Sequence, residues 1–285
     1  MKTILVPVEE SSVLPSMLET ALLAARRFDS YIEGLHVRPA LPGVVAAGAA
    51  GLVAATPDLV ESFERQDRER TERARQLFHE FMSAKNVQEA GAPSPATKPC
   101  WGWLEEVSPG DDAVGSRGRL FDLIVVGRPV RGQTTPAMST LEAALFESGR
   151  PLLIAPPNMP AAIGNTVVIA WNCSTETART IAFAMPFLLR ARKVIVLTVE
   201  GVTVPGPSGA DVAKNLVRNG VPAEAQEAVA GGRGPGEAIL AEAAARGCDL
   251  LIKGAYTHSR LRQMIFGGAT NHILAATEMP VFMAH

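Results

Sequence analysis

The residues best suited to chemistry lie near the C-terminus, where glycines and hydroxyl residues follow a buried strand. Lys253-Gly254 ends that strand, and Gly267-Gly268 opens a helix that we expect from about Ala269 to Thr277. Backbone amides at a helix start, freed of side-chain bulk, form a nest suited to an anion. Thr270 either caps this helix or donates its hydroxyl to a phosphate. The pattern predicts a phosphate-binding turn, with a glycine-eased turn from strand to helix as the simpler alternative.

A second glycine cluster, Gly231 to Gly236, precedes a helix that we expect to start at Glu237. It has Arg233 as a possible counter-ion, but it lacks the Gly-Lys-Ser/Thr ending of a P-loop. Glu237 already offers a carboxylate to the helix dipole. The segment Ser108 to Asp111 occupies the same place earlier in the chain, so an ordinary turn is favoured.

The histidines and serines assemble no catalytic or metal site by spacing. His258 and His272 flank the glycine-rich loop, but no spacing of metal ligands is present. His258 and Ser259 are adjacent, and adjacent side chains rarely face each other. No Gly-x-Ser-x-Gly nucleophile elbow exists either. We therefore predict no catalytic residue and no metal ligand.

The chain contains two copies of one pattern of apolar runs. The first copy has TILVPVEESS from Thr3, FDLIVVGRP from Phe121 and RPLLIAPP from Arg150. The second has TVVIAWNCST from Thr166, CDLLIKGAYTHSR from Cys248 and MPVFMAH from Met279. A fixed order of β-branched runs that recurs once predicts two α/β domains, residues 1–157 and 163–285. It also predicts an internal pseudo-two-fold.

Short, continuously apolar strands separated by helical patterns predict parallel sheets covered on both faces. The expected strands are Thr3–Val8, Tyr31–Val37, Lys98–Glu105, Asp122–Val126, Leu152–Ala155, Thr166–Trp171, Val194–Val199, Ala223–Val229, Asp249–Lys253 and Val281–Ala284. The expected helices include Ser16–Phe28, Asp111–Arg119, Glu176–Leu189 and Glu237–Arg246. Right-handed crossovers then give a five-stranded doubly wound sheet in each half. In such sheets ligands bind beyond the carboxyl ends of the strands, where Trp171, Asn172 and Gly254 would lie.

The first copy carries an insertion of two parts. The Ala/Gly-rich stretch Ala40–Ala55 is interpreted as a surface excursion, with a lid or a strap for a partner as the alternative. The charged helix Asp58–Ala84 has opposite charges four residues apart, as in Glu64–Arg68 and Glu69–Arg73. A solvated helix face is favoured over a binding patch. The linker Pro156–Gly164 is short and proline-rich, so the halves should be docked.

Composition limits the classes of partner. The 285 residues are 47% hydrophobic and 20% charged, with 27 basic against 29 acidic side chains. Without a charge excess, neither a nucleic acid nor a membrane surface is expected as the main partner. Cys100, Cys173 and Cys248 are far apart and suggest unpaired thiols in a reducing cytoplasm. No signal peptide is expected, because the chain enters a strand at Thr3.

With these motifs in view, the whole chain resembles a tandem universal stress protein. That family has a Gly, two residues, a Gly, nine residues and then Gly-Ser or Gly-Thr, after a strand that ends in Gly. Gly254 matches the first glycine and Gly267 the third, but Thr257 replaces the second and Gly268 replaces the hydroxyl residue. Asn172 replaces the Asp that closes the first strand in the family. The implied fold is adenine nucleotide α-hydrolase-like.

The resemblance implies an adenine nucleotide site in the second half, holding ATP with Mg²⁺. The backbone and side chains of Ala170, Trp171 and Asn172 would face the adenine. Val199 and Lys253 would flank the base or the ribose. The residues implied to hold ribose and phosphates are Gly254, Thr257, Gly267, Gly268, Ala269 and Thr270. Trp171 either stacks on the base or plugs the site, and Thr257 adds a Cβ where the family's backbone has none.

The first copy departs further from the family's motif. Gly127 is present, but Val130 replaces the second glycine, and Met138-Ser139-Thr140 replace Gly-Gly-Ala. Glu9 replaces the Asp, and its charge would oppose a phosphate. We expect this half to serve as scaffold and as partner in an intramolecular pseudo-dimer, its terminal strand Leu152–Ala155 pairing with Val281–Ala284. Whether such chains pair further stays open.

Three functions follow. The first is a cytoplasmic stress-response protein that binds an adenine nucleotide and signals by conformation or interaction. The second is a nucleotide-free interaction module in which both sites have degenerated. The third, an adenylating enzyme of the wider fold group, ranks last because the expected Ser-Gly-Gly-x-Asp-Ser loop is missing.

Overall fold

The computed structural model describes residues 1–39, 57–108, 112–130, 132–201, 203–255 and 268–285. The strands in this part of the chain are β1 Thr3–Pro7, β2 Tyr31–Pro39, β3 Gln88–Glu89, β4 Cys100–Ser108, β5 Leu123–Gly127, β6 Leu152–Ala155, β7 Thr166–Ala170, β8 Lys193–Val199, β9 Ala223–Ala228, β10 Leu250–Gly254 and β11 Val281–Ala284. The helices are α1 Leu14–Phe28, α2 Pro57–Ala84, α3 Asp112–Gly118, α4 Met138–Glu147, α5 Thr175–Leu188, α6 Gly209–Arg218, α7 Pro235–Ala245 and α8 Gly268–Ala276. The excursion Ala40–Ala55 lies outside the described residues.

All of these strands form one sheet, in the order β3-β4-β2-β1-β5-β6-β11-β10-β7-β8-β9. From its centre, the sheet runs outward through equivalent strands in both directions: β6-β5-β1-β2-β4 on one side and β11-β10-β7-β8-β9 on the other. The central pair is antiparallel, with Leu153 opposite Phe282. This confirms the expected pairing of the two terminal strands. The pairs on either side of it are parallel, as the α/β pattern predicts.

The strands are buried on both faces because helices cover both. Alternate residues of β7 pack on opposite sides: Val167 and Ile169 face the layer of α1, α2, α5 and α6. Val168 and Ala170 face the layer of α3, α4, α7 and α8. Continuous apolar runs are therefore required, which explains why the strand positions could be read from the sequence.

One strand departs from the five predicted for each half. β3 has only two residues and adds a sixth strand outside β4, with Gln88 opposite Cys100. Its side chains are exposed, so no apolar run marks it in the sequence. Helix α8 begins at Gly268, one residue before the expected start.

An aspartate anchors the central strand in each half. Asp122 precedes β5, and its Oδ2 accepts from the backbone N–H of Lys2 and Thr3 at 2.5 and 3.2 Å. Asp249 precedes β10 and accepts from Asn165 and Thr166 in the same way, at 2.9 and 3.0 Å. Burial alone would raise the pKa of Asp122, but these backbone bonds outweigh it and lower the pKa. The repeated anchor supports two copies of one unit.

The inserted helix α2 is more than a solvated charged face. Phe78 and Met82 are fully buried against the sheet. Within the charged run, Glu64 and Arg68 pair at 3.7 Å as expected for residues four apart. Asp67, however, is buried and pairs with Arg38 of β2 at 2.7 Å. Charge spacing within the helix could not show this contact, because its partner comes from another element.

Arg27, at the end of α1, joins the two halves. Its guanidinium donates to the carbonyl of Gly164 in the linker at 2.6 Å. It also donates to the carbonyls of Ile163, at 3.3 Å, and Arg190, at the end of α5. Phe28 packs edge-on against Phe187 nearby, with ring centroids 4.8 Å apart. The seam therefore combines aromatic packing with charged hydrogen bonds at a helix C-terminus.

Replacing Arg27 with alanine should lower the free energy of unfolding by about 2 kcal/mol, because hydrogen bonds from a charged donor are lost and carbonyl groups are left without this partner. Chemical denaturation measures this value. Arg26 is exposed on the same turn, and Arg26→Ala should change stability by less than about 0.5 kcal/mol. Equal losses of unfolding free energy in Arg27→Ala and Arg26→Ala would contradict the role of Arg27 in joining the two halves.

Among the helices described, none is long and apolar enough to cross a membrane.

Candidate functional site

The predicted site lies at the carboxyl ends of β7, β8 and β10. This edge follows from the parallel order of these strands, with β7 between β10 and β8. Most of the predicted site residues are described, but Thr257 and Gly267 lie outside the described residues. The structure therefore describes the site at the carboxyl ends of the strands and at the start of α8.

The floor of this site holds a buried polar pair, Lys253 and Thr270. Lys253 Nζ donates to Thr270 Oγ1 at 2.8 Å and to the carbonyl of Gly254 at 2.9 Å. Lys253 is 8% exposed and Thr270 3% exposed. No carboxylate of the described residues lies within ion-pair distance of Nζ. Burial lowers the pKa of Lys253 to about 8, because desolvation penalises the ammonium form.

Thr270 therefore does not act as a simple helix cap. It lies in the first turn of α8, and its hydroxyl accepts from Lys253. The pair ties the start of α8 to the end of β10. A cation thus lies near a helix N-terminus, a combination that attracts an anion.

Gly254 is required for packing. A Cβ on Gly254 would lie 2.4 Å from the backbone nitrogen of Thr177 and 2.7 Å from the carbonyl carbon of Glu176. Both atoms belong to the first turn of α5, so the end of β10 touches the start of this helix. Packing against α5 therefore accounts for this glycine without a ligand.

Asn172 binds the same turn of α5. Its Oδ1 accepts from Thr177 Oγ1 at 2.6 Å and from the backbone N–H of Ser174 at 3.3 Å. Ser174 caps α5 by accepting from the N–H of Thr177 at 3.2 Å. Sequence reasoning missed Thr177, although the Ser174-x-x-Thr177 spacing is a signal of a helix start. Thr177 joins Asn172 and Gly254 into one packed unit.

Cys173, just after β7, has an unusual backbone conformation. Its φ is 65°, in the left-handed region that favours glycine. A hydrogen bond from the loop before α6 stabilises this turn, because Cys173 Sγ donates to the carbonyl of Pro207 at 3.2 Å. The carbonyl of Asn172 accepts from Val204 N–H at 3.0 Å in the same loop.

The indole of Trp171 packs into the core and does not face the Lys253 side of the sheet. It is 4% exposed, and its Nε1 donates to the carbonyl of Pro207 at 2.9 Å. It belongs to the apolar layer formed with α5 and α6. Neither expectation for the indole, stacking on the base or plugging the site, describes this packing in the core, which leaves only the backbone of Trp171 at the strand end.

Of the remaining predicted residues, Ala170 and Val199 are buried at the strand ends, whereas Gly268 and Ala269 lie at the start of α8. Ala170 and Val199 are buried on the same face as Lys253. Gly268 is exposed, and a Cβ there would meet nothing within 4 Å. Ala269 packs on α7, where a Cβ on Gly236 would lie 2.7 Å from its carbonyl oxygen. The start of α8 is therefore open at Gly268 and fixed at Ala269.

The first half forms a cleft at the equivalent place. In register, Gly127 lies opposite Ala155 as Gly254 lies opposite Ala284, so Val126 corresponds to Lys253. Val126 lines the cleft together with Leu141 of α4. Where the second half has Lys253 beside the strand-ending glycine, the first half has the apolar Val126.

The other chemical candidates have structural partners. Arg233 of the second glycine cluster donates to the carbonyl of Ala230 at 3.0 Å and pairs with Glu242 at 3.2 Å. This supports an ordinary turn at that cluster. Burial raises the pKa of Cys248 to about 12. Across the described ranges, no three His, Cys, Asp or Glu side chains are grouped as metal ligands would be.

Comparison with known proteins finds a family match in the second half of the chain. Residues 165–285 match the universal stress protein family. All of the predicted nucleotide-site residues lie within that match. The match does not include residues 1–157, so it stays a prediction that the first half is a degenerate domain of the same family.

Relatives extend over both halves. The chain is 24% identical over 261 residues to Universal stress protein Slr1230 of Synechocystis, covering 88% of this chain and 86% of that protein. A universal stress protein structure from Archaeoglobus fulgidus covers 99% of this chain and 95% of its own, at 15% identity and a TM-score of 0.68. A putative universal stress protein from Pseudomonas aeruginosa covers 100% and 93%, at 13% identity and a TM-score of 0.53. The structures show the fold, and the family match and the Synechocystis relative support the universal stress protein family for this chain.

Proposed function

We propose that the protein acts in the stress response and binds an adenine nucleotide, ATP in the first instance, at the edge formed by β7, β10 and α8. The stress-response role rests on the universal stress protein match and on the relative that spans most of the chain. The nucleotide proposal rests on one observation: Lys253 is buried at the floor of the site without an acidic partner among the described residues.

A buried ammonium group without a counter-charge is costly, and a bound phosphate would supply that charge. Lys253 is fixed by Thr270 and by the Gly254 carbonyl, so its position is set before a ligand arrives. The exposed Gly268 leaves the first turn of α8 free to approach phosphate oxygens. These residues fit the phosphate end of a nucleotide.

The base would lie at the ends of β7 and β8. Ala170, Trp171 and Asn172 offer backbone groups there, and Val199 offers an apolar contact. We also propose Thr257, Gly267 and Ala269 as contacts to ribose and phosphates, in line with the family's pattern. Mg²⁺ would arrive with the phosphates and neutralise their charge, since it is usually held through substrate phosphates. We assign no catalytic residue, and signalling by conformation or interaction is the proposed mode of action.

We further propose a cytoplasmic location. The thiols of Cys100, Cys173 and Cys248 are all free, which suits a reducing compartment. The halves act as an intramolecular pseudo-dimer, and further pairing of chains would be an addition to it.

Thermal unfolding with Mg-ATP tests nucleotide binding. At a hundred times its dissociation constant, a ligand adds about 2.7 kcal/mol of stability. For a chain of this size we expect the Tm to rise by about 5 °C. Gly268→Asp should abolish the rise, because its carboxylate would repel phosphate at a position where the folded protein has room for the side chain.

Ser139→Asp is the matched control for this experiment. Ser139 is exposed in the first turn of α4, the corresponding helix of the first half. We expect this variant to keep the full ATP response. A response that survives Gly268→Asp, or disappears in Ser139→Asp, would place the nucleotide elsewhere.

The second candidate function is a nucleotide-free interaction module. It is favoured by the indole of Trp171, which is held by Pro207 and packed in the core. It is also favoured by Gly254, which packing against α5 explains without a ligand. Absence of a thermal shift with ATP, ADP and AMP would select this function.

A further inference from the structure

The first half has its own cleft, at the carboxyl ends of β1, β2 and β5. It lies between these strand ends, α1 and the start of α4. Its lining includes Val8, Leu35, Val37, Val126, Thr140 and Leu141. It is partly open to solvent and its volume is about 40 Å³, so a ring-sized ligand would extend beyond it into solvent.

The chemistry of this lining differs from that of the second half. Apolar side chains predominate, including Val8, Val37, Val126 and Leu141, and among the described residues that line the cleft there is no lysine, arginine or histidine. Hydroxyl groups of serine and threonine complete the wall. The exposed residue Glu9 also borders the cleft.

The turn that would hold phosphate is filled by this chain's own side chains. A Cβ on Gly127 would lie 2.5 Å from Pro136 Cγ and 2.8 Å from Met17 Sδ. Pro136 and Met17 thus cover the end of β5. The space that remains is bordered by carbon atoms and hydroxyl groups.

The walls of the cleft are tied together before any ligand binds. Ser12 Oγ donates to Gln133 Oε1 at 2.7 Å, joining the loop after β1 to the loop before α4. Thr135 Oγ1 donates to the carbonyl of Glu10 at 3.2 Å across the same two loops. Preformed apolar walls with a few hydroxyl groups are the usual composition of sites for small organic ligands.

We propose that this cleft is a second binding site, for a small, uncharged and largely apolar molecule that carries a hydroxyl group. The apolar body would pack on Val37, Val126 and Leu141, and the ligand hydroxyl would pair with Thr140. The site selects against nucleotides through the filled turn at Gly127. The two halves of the chain therefore hold ligands of different chemistry in equivalent positions.

Methyl NMR of the full chain, titrated with phenol, tests this site. Phenol is neutral at pH 7 and combines an apolar ring with one hydroxyl. We expect saturable shifts of the methyl signals of Val8, Val37, Val126 and Leu141. The methyl groups of Val199 and Ile273 in the second half should not shift, and inorganic phosphate should move none of the first-half signals.

Two variants on neighbouring residues of α4 decide the location. Thr140→Phe places a ring in the cleft and should abolish the saturable shifts. Ser139→Phe adds the same ring at an exposed position outside the lining and should leave them unchanged. If phenol gives no saturable shift, or if the shifts persist in Thr140→Phe, the proposal is wrong. Nucleotide binding in the second half can succeed or fail independently of this result.

Discussion

Replacing Gly254 with alanine should lower the free energy of unfolding by about 3 kcal/mol, measured by chemical denaturation. The new Cβ would lie 2.4 Å from the backbone nitrogen of Thr177, so the start of α5 or the end of β10 must move. Backbone atoms cannot rotate away as a long side chain can, and overpacking of this kind is costly. The displaced α5 turn would also disturb the hydrogen bond between Asn172 and Thr177.

Gly268→Ala is the matched control on the other glycine of the site. A Cβ there meets no atom within 4 Å, and the residue begins α8. Alanine should therefore leave stability unchanged or raise it by up to about 1 kcal/mol. Similar stabilities for the two variants would contradict the tight contact between β10 and α5.

Replacing Lys253 with methionine should stabilise the protein and weaken its binding of ATP. Burial lowers the pKa of this lysine from its ordinary value of 10.5 to about 8, which corresponds to about 3 kcal/mol against the folded state. Methionine fills a similar volume without a charge. It gives up the hydrogen bonds to Thr270 and the Gly254 carbonyl, which offsets about 1 kcal/mol of the gain. A net gain of about 2 kcal/mol at pH 7 is expected.

The pH dependence of this difference has a definite sign. Below pH 8 the lysine is protonated in both the folded and the unfolded chain, so the full penalty is present. Between pH 8 and about 10.5 the folded protein has released the proton and the unfolded chain still binds it, so the wild type gains stability. The advantage of Lys253→Met should therefore shrink over this range. Denaturation of both proteins at several pH values measures it.

Lys193→Met is the control for loss of a lysine. Lys193 is half exposed and pairs with Glu224 at 3.0 Å, so its removal should cost less than about 1 kcal/mol without the same pH dependence. If Lys253→Met destabilises the protein, the buried charge is compensated by a partner. If it leaves the ATP-induced rise in Tm intact, Lys253 does not contact the phosphates.

These results would show that the two halves share one fold but bind different kinds of ligand. Asp122 and Asp249 anchor equivalent strands by the same backbone bonds, and Gly127 and Gly254 end equivalent strands. The residue immediately before this glycine differs: it is Val126 in the first half and Lys253 in the second. We therefore expect the residue at this one buried position to influence which kind of ligand each crevice favours.

Much of the frame could be predicted from the sequence, because parallel strands buried on both faces must be continuously apolar. The run Leu152–Ala155 matches β6 residue for residue, and its partner Val281–Ala284 matches β11. Their pairing could be expected because an open apolar edge is unstable in water. The short strand β3 could not be predicted, since its exposed residues Gln88 and Glu89 carry no apolar signal.

The candidate site was predictable only in outline. The sequence indicated where the glycines and the hydroxyl residues would gather, because strand ends and helix starts are local features. It could not show that Lys253 and Thr270 bind each other, since they are separated by a loop and meet through the packing of α8 on β10. It also could not place the indole of Trp171 in the core, because that packing depends on the position of Pro207.

By itself, the sequence determined the repeated α/β frame, the edge at which a ligand would bind and the absence of a charge excess for nucleic acid or membrane. These are consequences of local hydrophobic pattern and composition. Only the tertiary structure decided which side chains reach that edge: a buried lysine in one half, apolar residues in the other, and an indole turned into the core. Such contacts join residues far apart in the chain, and they depend on how helices pack across the sheet.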